Sequence, residues 1–184
     1  LFGTNPMCFG WPRGDQPPLV FDQASASMAR GEVMIAARDG HSVPLGTGVD
    51  AEGNPTTDPA KIIEGGALLP FGGHKGSTIA MMIELLVAGL TGMDFSYEAQ
   101  VNDNNDGGPP NGGEFMLAID PNRFGDGDNW LQHSEDFLAR LAGMDGAHIP
   151  GNRRYANRAA HASQGIAVKQ AVYDSCQQFL HAGS

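Results

Sequence analysis

Positive charge is scarce in this chain. Against 21 acidic residues stand 11 lysines and arginines, a net charge of −10 with histidine neutral. A surface of that sign repels phosphate backbones and anionic lipid, which argues against general nucleic-acid binding or membrane-surface attachment. Cysteine is scarcer still. Cys8 and Cys176 are the only two, with no CxxC spacing, and they read as free thiols of a reducing, cytoplasmic compartment. No apolar run reaches the length of a membrane span. The best candidate, Thr78 to Leu90, is too short and carries Glu84. The first residues lack a signal-peptide pattern. No G-x-G-x-x-G follows a strand-like segment, so a Rossmann reading has no support. The histidines at 41, 74, 133, 148, 161 and 181 are scattered, without HExxH or a close pair, and give zinc no basis. The stretch "NDNNDG" imitates the start of a calcium loop through Asn102, Asn104, Asp106 and Gly107. Its twelfth position is Gly113, with Glu114 one place late, so calcium is set aside.

Glycine is abundant, 26 of 184 residues, roughly twice the usual share. It signals many turns and close backbone approaches. The length suits one domain with a sizeable core, or part of a larger one. There is no internal repeat and no strong boundary, so residues 1–184 read as a single region. The start at Leu1 in "LFGTNP", without Met, reads as the middle of a longer protein, hence an internal or C-terminal piece.

Local patterns predict a mixed order of strands and helices. "PMCFGWP" and "PLVFDQA" read as strands joined by a turn-rich loop. "SASMARGEVMIAARDG" reads as a helix capped by Ser25 or Ser27 and ended by Gly40, with Gly31 weakening it by roughly 1 kcal/mol relative to Ala. A short helix follows in "TTDPAKIIEGG", with Thr57 as N-cap, Pro59 in its first turn and Gly65 past its end. "ALLPF" reads as a short strand. From Ser77 to Leu90, Ile79, Met82, Ile83, Leu86, Val87 and Leu90 recur at steps of three and four, and Met81, Leu85 and Ala88 fill most of the other face. An all-round apolar helix is a buried one, which makes Glu84 conspicuous, as an interface group or an acceptor of hydrogen bonds. "EFMLAID" is the clearest strand pattern. "DNWLQHSEDFLARLAG" reads as an amphipathic helix ending at Gly143, "HIPGNRR" as a loop, and "QAVYDSCQQFLHAG" as a C-terminal helix. The order points to an α+β, or mixed α/β, layer fold.

The chemistry concentrates in "PFGGHKGS". A P-loop needs Lys followed directly by Ser or Thr; here Gly76 separates Lys75 from Ser77, and the upstream spacing is wrong. The free N–H groups of a helix start, its dipole and Lys75 still favour an anion. The plain alternative is a glycine turn with a solvated lysine. Arg153 and Arg154 make a compact cation pair suited to phosphate, or ordinary surface charge. Asp22 ends a strand, as a ligand-loop residue or a turn residue. Glu32 is a solvated acid, or a carboxylate that orients a histidine from another segment.

Six segments in this order, "FGTNP", "FDQASASMARGEV", "GNPTTDP", "GGALLPFGGHKGS", "ELLVAGLTG" and "PGNRR", closely resemble the malate/L-lactate dehydrogenase-like oxidoreductases, which are unrelated to the Rossmann-type lactate and malate dehydrogenases. Within that family "PFGGHKGS" followed by "MMIELL" is most similar to the Δ1-piperideine-2-carboxylate/Δ1-pyrroline-2-carboxylate reductases. The resemblance implies a non-Rossmann NAD(P)-binding fold with a largely antiparallel sheet and flanking helices, usually dimeric, and NADPH-dependent reduction of cyclic imino acids to L-pipecolate and L-proline, with NADH as the other possible cofactor. By motif it implies that Thr4 contacts substrate. It places Asp22, Gln23 and Ala24 in a cofactor-contacting turn, His74 and Lys75 at the dinucleotide, and His148, Ile149, Pro150, Gly151, Asn152, Arg153 and Arg154 in a further cofactor segment. Glu32 falls at the family's charge-relay Asp position, where the extra methylene moves the carboxylate by about 1 Å or more; either the backbone compensates or the relay is weakened. The resemblance also implies that the catalytic Ser-His pair and a substrate-binding Arg belong to an N-terminal portion that this sequence does not contain, so this chain by itself is expected to be inactive. Two other readings stand beside it: an NAD(P)-dependent 2-hydroxy-acid dehydrogenase acting on malate, lactate, ureidoglycolate or a sugar acid, and a non-catalytic nucleotide-binding module.

Overall fold

The structure is a computed structural model, and it describes residues 1–104, 111–125 and 129–182. Residues 105–110 of the calcium-loop pattern at 102–113, with Asp106 and Gly107, lie outside the described residues. The chain divides into two compact units, Leu1–Phe9 with Phe21–Gly127, and Gly10–Val20 with Asp128–Ser184.

Strands β1 (Met7–Trp11) and β2 (Leu19–Gln23) pair in a two-stranded sheet, as their apolar runs predict. In the first unit Phe9 stacks on Phe21 with ring centroids 5.4 Å apart. Helix α1 (Arg30–Asp39) follows and ends at Gly40, whose φ of 72° is the left-handed C-cap expected of glycine. Its N-cap is Ala29, with no side-chain cap. Ser25 and Ser27, expected as caps, are used elsewhere. Gly31 has open space around its missing Cβ, so no packing need explains it.

Three short strands, β3 (Gly48–Val49), β4 (Pro55–Thr56) and β5 (Ala67–Leu68), form an antiparallel sheet in the order β4-β3-β5. Gly48 sits opposite both Thr56 and Leu68. Between β4 and β5 lies helix α2 (Pro59–Ile63). Its cap is Asp58, not Thr57: the Asp58 carboxylate accepts the Ala60 N–H at 3.0 Å. Asp and Thr both cap well; Pro59 at the first helical position selects the residue directly before it. Val33, Val43 and Ile62 are buried together, flanked by Met28, Ala36 and Leu68. This cluster fixes α1 and α2 against the small sheet, each buried aliphatic side chain contributing about 1.5–3 kcal/mol.

Helix α3 (His74–Glu84) continues into a π-helical turn, Leu85–Gly89. It is not buried all round. Gly76, Ala80, Ile83, Glu84 and Ala88 form the buried stripe, while Met81, Met82, Leu85 and Leu90 are exposed. Three of the five inward residues, Gly76, Ala80 and Ala88, are small, and at Gly76 the chain of Phe71 passes too close for a Cβ. Helix α4 (Ser96–Val101) follows. "EFMLAID", residues 114–120, forms no strand, and Met116, Leu117 and Ile119 are exposed. Alternation makes a segment fit for a ladder, but a strand exists only with a partner edge.

In the second unit α5 (Trp130–Ala142) ends at Gly143 as expected. Trp130 packs edge-on against Trp11 at 5.7 Å. Arg13 forms a bidentate pair with Glu135, at 3.0 and 2.8 Å. A helix that the sequence pattern does not predict, α6 (Asn152–Gln164), takes in Arg153 and Arg154, so "HIPGNRR" is loop only as far as Gly151. The C-terminal helix α7 (Gln170–Ala182) is present as predicted. Helices with a small antiparallel sheet make the chain α+β. Cys8 and Cys176 are both free and exposed. Among the described residues no helix is long and apolar enough to cross a membrane, and no group of three or more His, Cys, Asp or Glu could hold a metal ion.

Candidate functional site

The first unit brings three of the sequence motifs onto one residue. Ser25 follows the turn Asp22–Ala24 at the end of β2. Its N–H and its hydroxyl both donate to the Thr4 carbonyl, at 2.8 and 3.2 Å. Its own carbonyl accepts the Phe71 N–H at 3.0 Å. "FGTNP", "FDQAS" and "PFGGHKG" are thus sewn together at a fully buried serine. Ser27 repeats the device one step on. Its N–H donates to Leu69, and its hydroxyl lies 3.2 Å from the carbonyls of Gly46 and Thr47. Both serines satisfy distant carbonyls, which is why neither caps α1.

Three residues past Phe71, helix α3 begins. Gly72 and Gly73 have φ of 59° and 61°, a conformation that other residues adopt with strain. Gly76 is required for a different reason: a Cβ there would collide with the carbonyl of Phe71. No side chain caps this helix, and its first turn holds no acidic residue. His74 and Lys75 are exposed there. Uncapped N–H groups, the helix dipole and one adjacent lysine suit an anion such as a phosphate.

Thr4 is half-buried, and its neighbour Asn5 is buried with φ of 43°. The Asn5 side-chain amide donates to the Ala80 carbonyl at 3.3 Å and to Glu84 Oε1 at 2.7 Å. Glu84 Oε1 also accepts the Ser96 hydroxyl, and Oε2 accepts the Ser96 N–H at 3.0 Å. Burial pushes the Glu84 carboxyl up; donors from Ser96, Asn5 and the Gly3 backbone outweigh it and hold it below the ordinary glutamate value. The sequence marks Glu84 as out of place in an apolar helix. It gives no local sign of the part played by Ser25, Asn5 or Ser96.

Asp22 and Gln23 are exposed at the end of β2, and Ala24 is half-buried. Glu32 lies exposed in the first turn of α1. Among the described residues its carboxylate has no histidine partner.

The second unit presents a helix start of the same kind. Gly151, φ 92°, leads into α6, again without a side-chain cap or an acidic residue in the first turn. Arg153 and Arg154 are exposed in that turn. Ile149 is buried behind the loop, and the Tyr155 hydroxyl donates to the Pro18 carbonyl at 3.0 Å.

The pattern of a malate/L-lactate dehydrogenase matches residues 1–177, and the chain belongs to that family. The Δ1-pyrroline-2-carboxylate/Δ1-piperideine-2-carboxylate reductase of Pseudomonas syringae pv. tomato is 47% identical over 178 residues, which cover 97% of this chain and 52% of that protein. The crystal structure of the Δ1-piperideine-2-carboxylate reductase from the same organism superposes with a TM-score of 0.87, covering 97% of this chain and 53% of the other. The (2R)-3-sulfolactate dehydrogenase (NADP(+)) of Chromohalobacter salexigens is 40% identical, with coverage of 97% and 53%. The chain thus spans about half the length of the curated relatives it matches.

Proposed function

We propose that the protein is a cytoplasmic, homodimeric oxidoreductase that uses NADPH to reduce cyclic imino acids, Δ1-piperideine-2-carboxylate and Δ1-pyrroline-2-carboxylate. The observation that carries this reading is the 47% identity to a reductase named for both substrates, sustained over 97% of the chain. The residues of each unit fit phosphate groups taken separately: an uncapped helix start without an acid in its first turn stands in each, beside Lys75 in one and Arg153 and Arg154 in the other.

NADPH, when bound, supplies the hydride for C2 of the imine. Everything else falls to side chains. Lys75 with the start of α3 binds phosphate charge, and His74 lies beside it at the dinucleotide. The turn Asp22–Ala24 lines the cofactor. Arg153 and Arg154 favour the extra 2′-phosphate of NADPH over NADH, with the loop from His148 supporting them. Thr4 contacts the substrate. Glu32 orients a histidine that holds or delivers a proton, in the manner of a carboxylate-fixed imidazole.

One observation favours a second reading. The NADP(+)-dependent sulfolactate dehydrogenase relative is nearly as similar, at 40% identity, so a 2-hydroxy acid is the rival substrate class. The two separate on a substrate panel. The protein expressed from its complete reading frame should oxidise NADPH rapidly with Δ1-piperideine-2-carboxylate and slowly with pyruvate, oxaloacetate or sulfopyruvate. Turnover with the keto acids alone would assign the hydroxy-acid branch. NADPH binding without turnover of any of them would favour a nucleotide-binding module.

A further inference from the structure

We propose that Glu84 is a positioning residue for the substrate side of the site: its carboxylate gathers donors from Asn5 and Ser96 and thereby fixes the turn that carries Thr4 along helix α3. The proposal rests on the reading of Thr4 as the substrate contact.

Four observations support it. Glu84 is 6% exposed on the buried stripe of α3, a place where a carboxylate is costly unless donors surround it. Its hydrogen bonds come from the Asn5 amide, the Ser96 N–H and the Ser96 hydroxyl. An ionised carboxylate accepts all of these bonds at once, whereas a glutamine of the same shape must turn an amide N–H toward the Asn5 amide or toward Ser96, where at most the hydroxyl can accept it. Asn5 holds a left-handed backbone conformation while buried, one that asparagine adopts more readily than other non-glycine residues. Its amide bridges Ala80 and Glu84, one turn apart on α3. Finally, the turn passes close over the start of α4: a Cβ on Gly3 would lie 2.7 Å from the Ser96 hydroxyl oxygen.

The geometry explains why a charge is kept in this helix. Thr4 is held at its carbonyl by Ser25, which also holds Phe71 at the entrance to α3. Asn5 is held near the far end of the same helix, about 15 Å along its axis from His74 at the usual rise per residue. Glu84 therefore sets where the substrate turn lies relative to the helix start that carries His74 and Lys75. Without it, the turn keeps the Ser25 bonds to the Thr4 carbonyl and the longer bond, 3.3 Å, from the Asn5 amide to Ala80.

The test uses the protein expressed from its complete reading frame, with Glu84→Gln and, as a second variant, Asn5→Ala. Two readouts are followed. The first is hydrogen exchange at the Ser25 amide, which the Thr4 carbonyl protects, against the Val43 amide, which the Thr57 carbonyl protects in the core at 2.9 Å. The second is KM for the cyclic imine against Kd for NADPH. In both variants the Ser25 amide should exchange roughly tenfold faster or more with Val43 unchanged, and KM should rise by about tenfold or more with NADPH affinity intact, as expected for loss of one charged hydrogen bond. Unchanged exchange at Ser25, or equal acceleration at Ser25 and Val43, would overturn the proposal, the latter because it marks a merely structural residue. If the wild-type protein turns over no imine, the substrate reading fails by itself, and the exchange at Ser25 still decides whether Glu84 positions the turn.

Discussion

Ser25 donates two hydrogen bonds to a single oxygen, the carbonyl of Thr4, at 2.8 Å from its N–H and 3.2 Å from its hydroxyl. The acceptor is 21 residues away in the chain, and the carbonyl of Ser25 takes the N–H of Phe71 in turn. Three segments that the sequence presents as separate motifs therefore share one junction.

Ser25→Ala removes the hydroxyl and leaves the N–H bond. The Thr4 carbonyl keeps one donor, so the loss should be modest, about 1 kcal/mol in unfolding free energy by urea titration. On the proposed role of Thr4 as the substrate contact, KM for the cyclic imine should rise with it. A change of more than about 3 kcal/mol would mean that the serine supports the fold more widely than this contact explains.

Gly76→Ala drives a Cβ into the Phe71 carbonyl, a backbone group that cannot step aside. The entrance to α3 must open, and both NADPH affinity and thermal stability should fall. Gly31→Ala, in open space on α1, should stabilise by up to about 1 kcal/mol. Comparing the two by thermal melts separates a glycine needed for close approach from one that is not.

Lowering the pH should weaken the fold through Glu84. Its folded pKa lies below the ordinary value of 4.5, so in the acid range the unfolded state binds more protons, and stability rises with pH there. The contribution is complete above the unfolded pKa and is lost as pH falls through the folded one. Urea midpoints measured from neutral pH downward should drop more steeply for wild type than for Glu84→Gln. Parallel curves would contradict a buried ionised carboxylate.

Much of the fold was legible in the sequence where its cause is local. The apolar runs of β1 and β2, the amphipathic α5 and the stop signals Gly40 and Gly143 all appear where pattern and turn chemistry place them. What was not legible depends on distant partners. Ser25 and Ser27 have the side chains of helix caps, but carbonyls far along the chain claim them. Residues 114–120 alternate like a strand, yet pairing is not a local property. Helix α6 escaped because the periodicity of "NRRYANRAAHASQ" is carried by Tyr155 and alanines between polar residues, with no large aliphatic stripe and no buried residue to mark it as a packed helix. Of the candidate site, the α3 start and its lysine could be argued from residue types alone. The carboxylate at Glu84 could be noticed as an anomaly, but its partners Asn5 and Ser96 lie 79 and 12 residues away and only the fold reveals them.

The proposed function places a dinucleotide phosphate at the start of α3. Calorimetric titration of NADPH into the protein from its complete reading frame, wild type beside Lys75→Ala, tests it. Saturable binding that weakens by about tenfold in the variant, in line with a lost charge-assisted contact, is the predicted result, with affinity falling as salt rises. Binding that Lys75→Ala leaves unchanged, or no saturable binding to the wild-type protein, would contradict it.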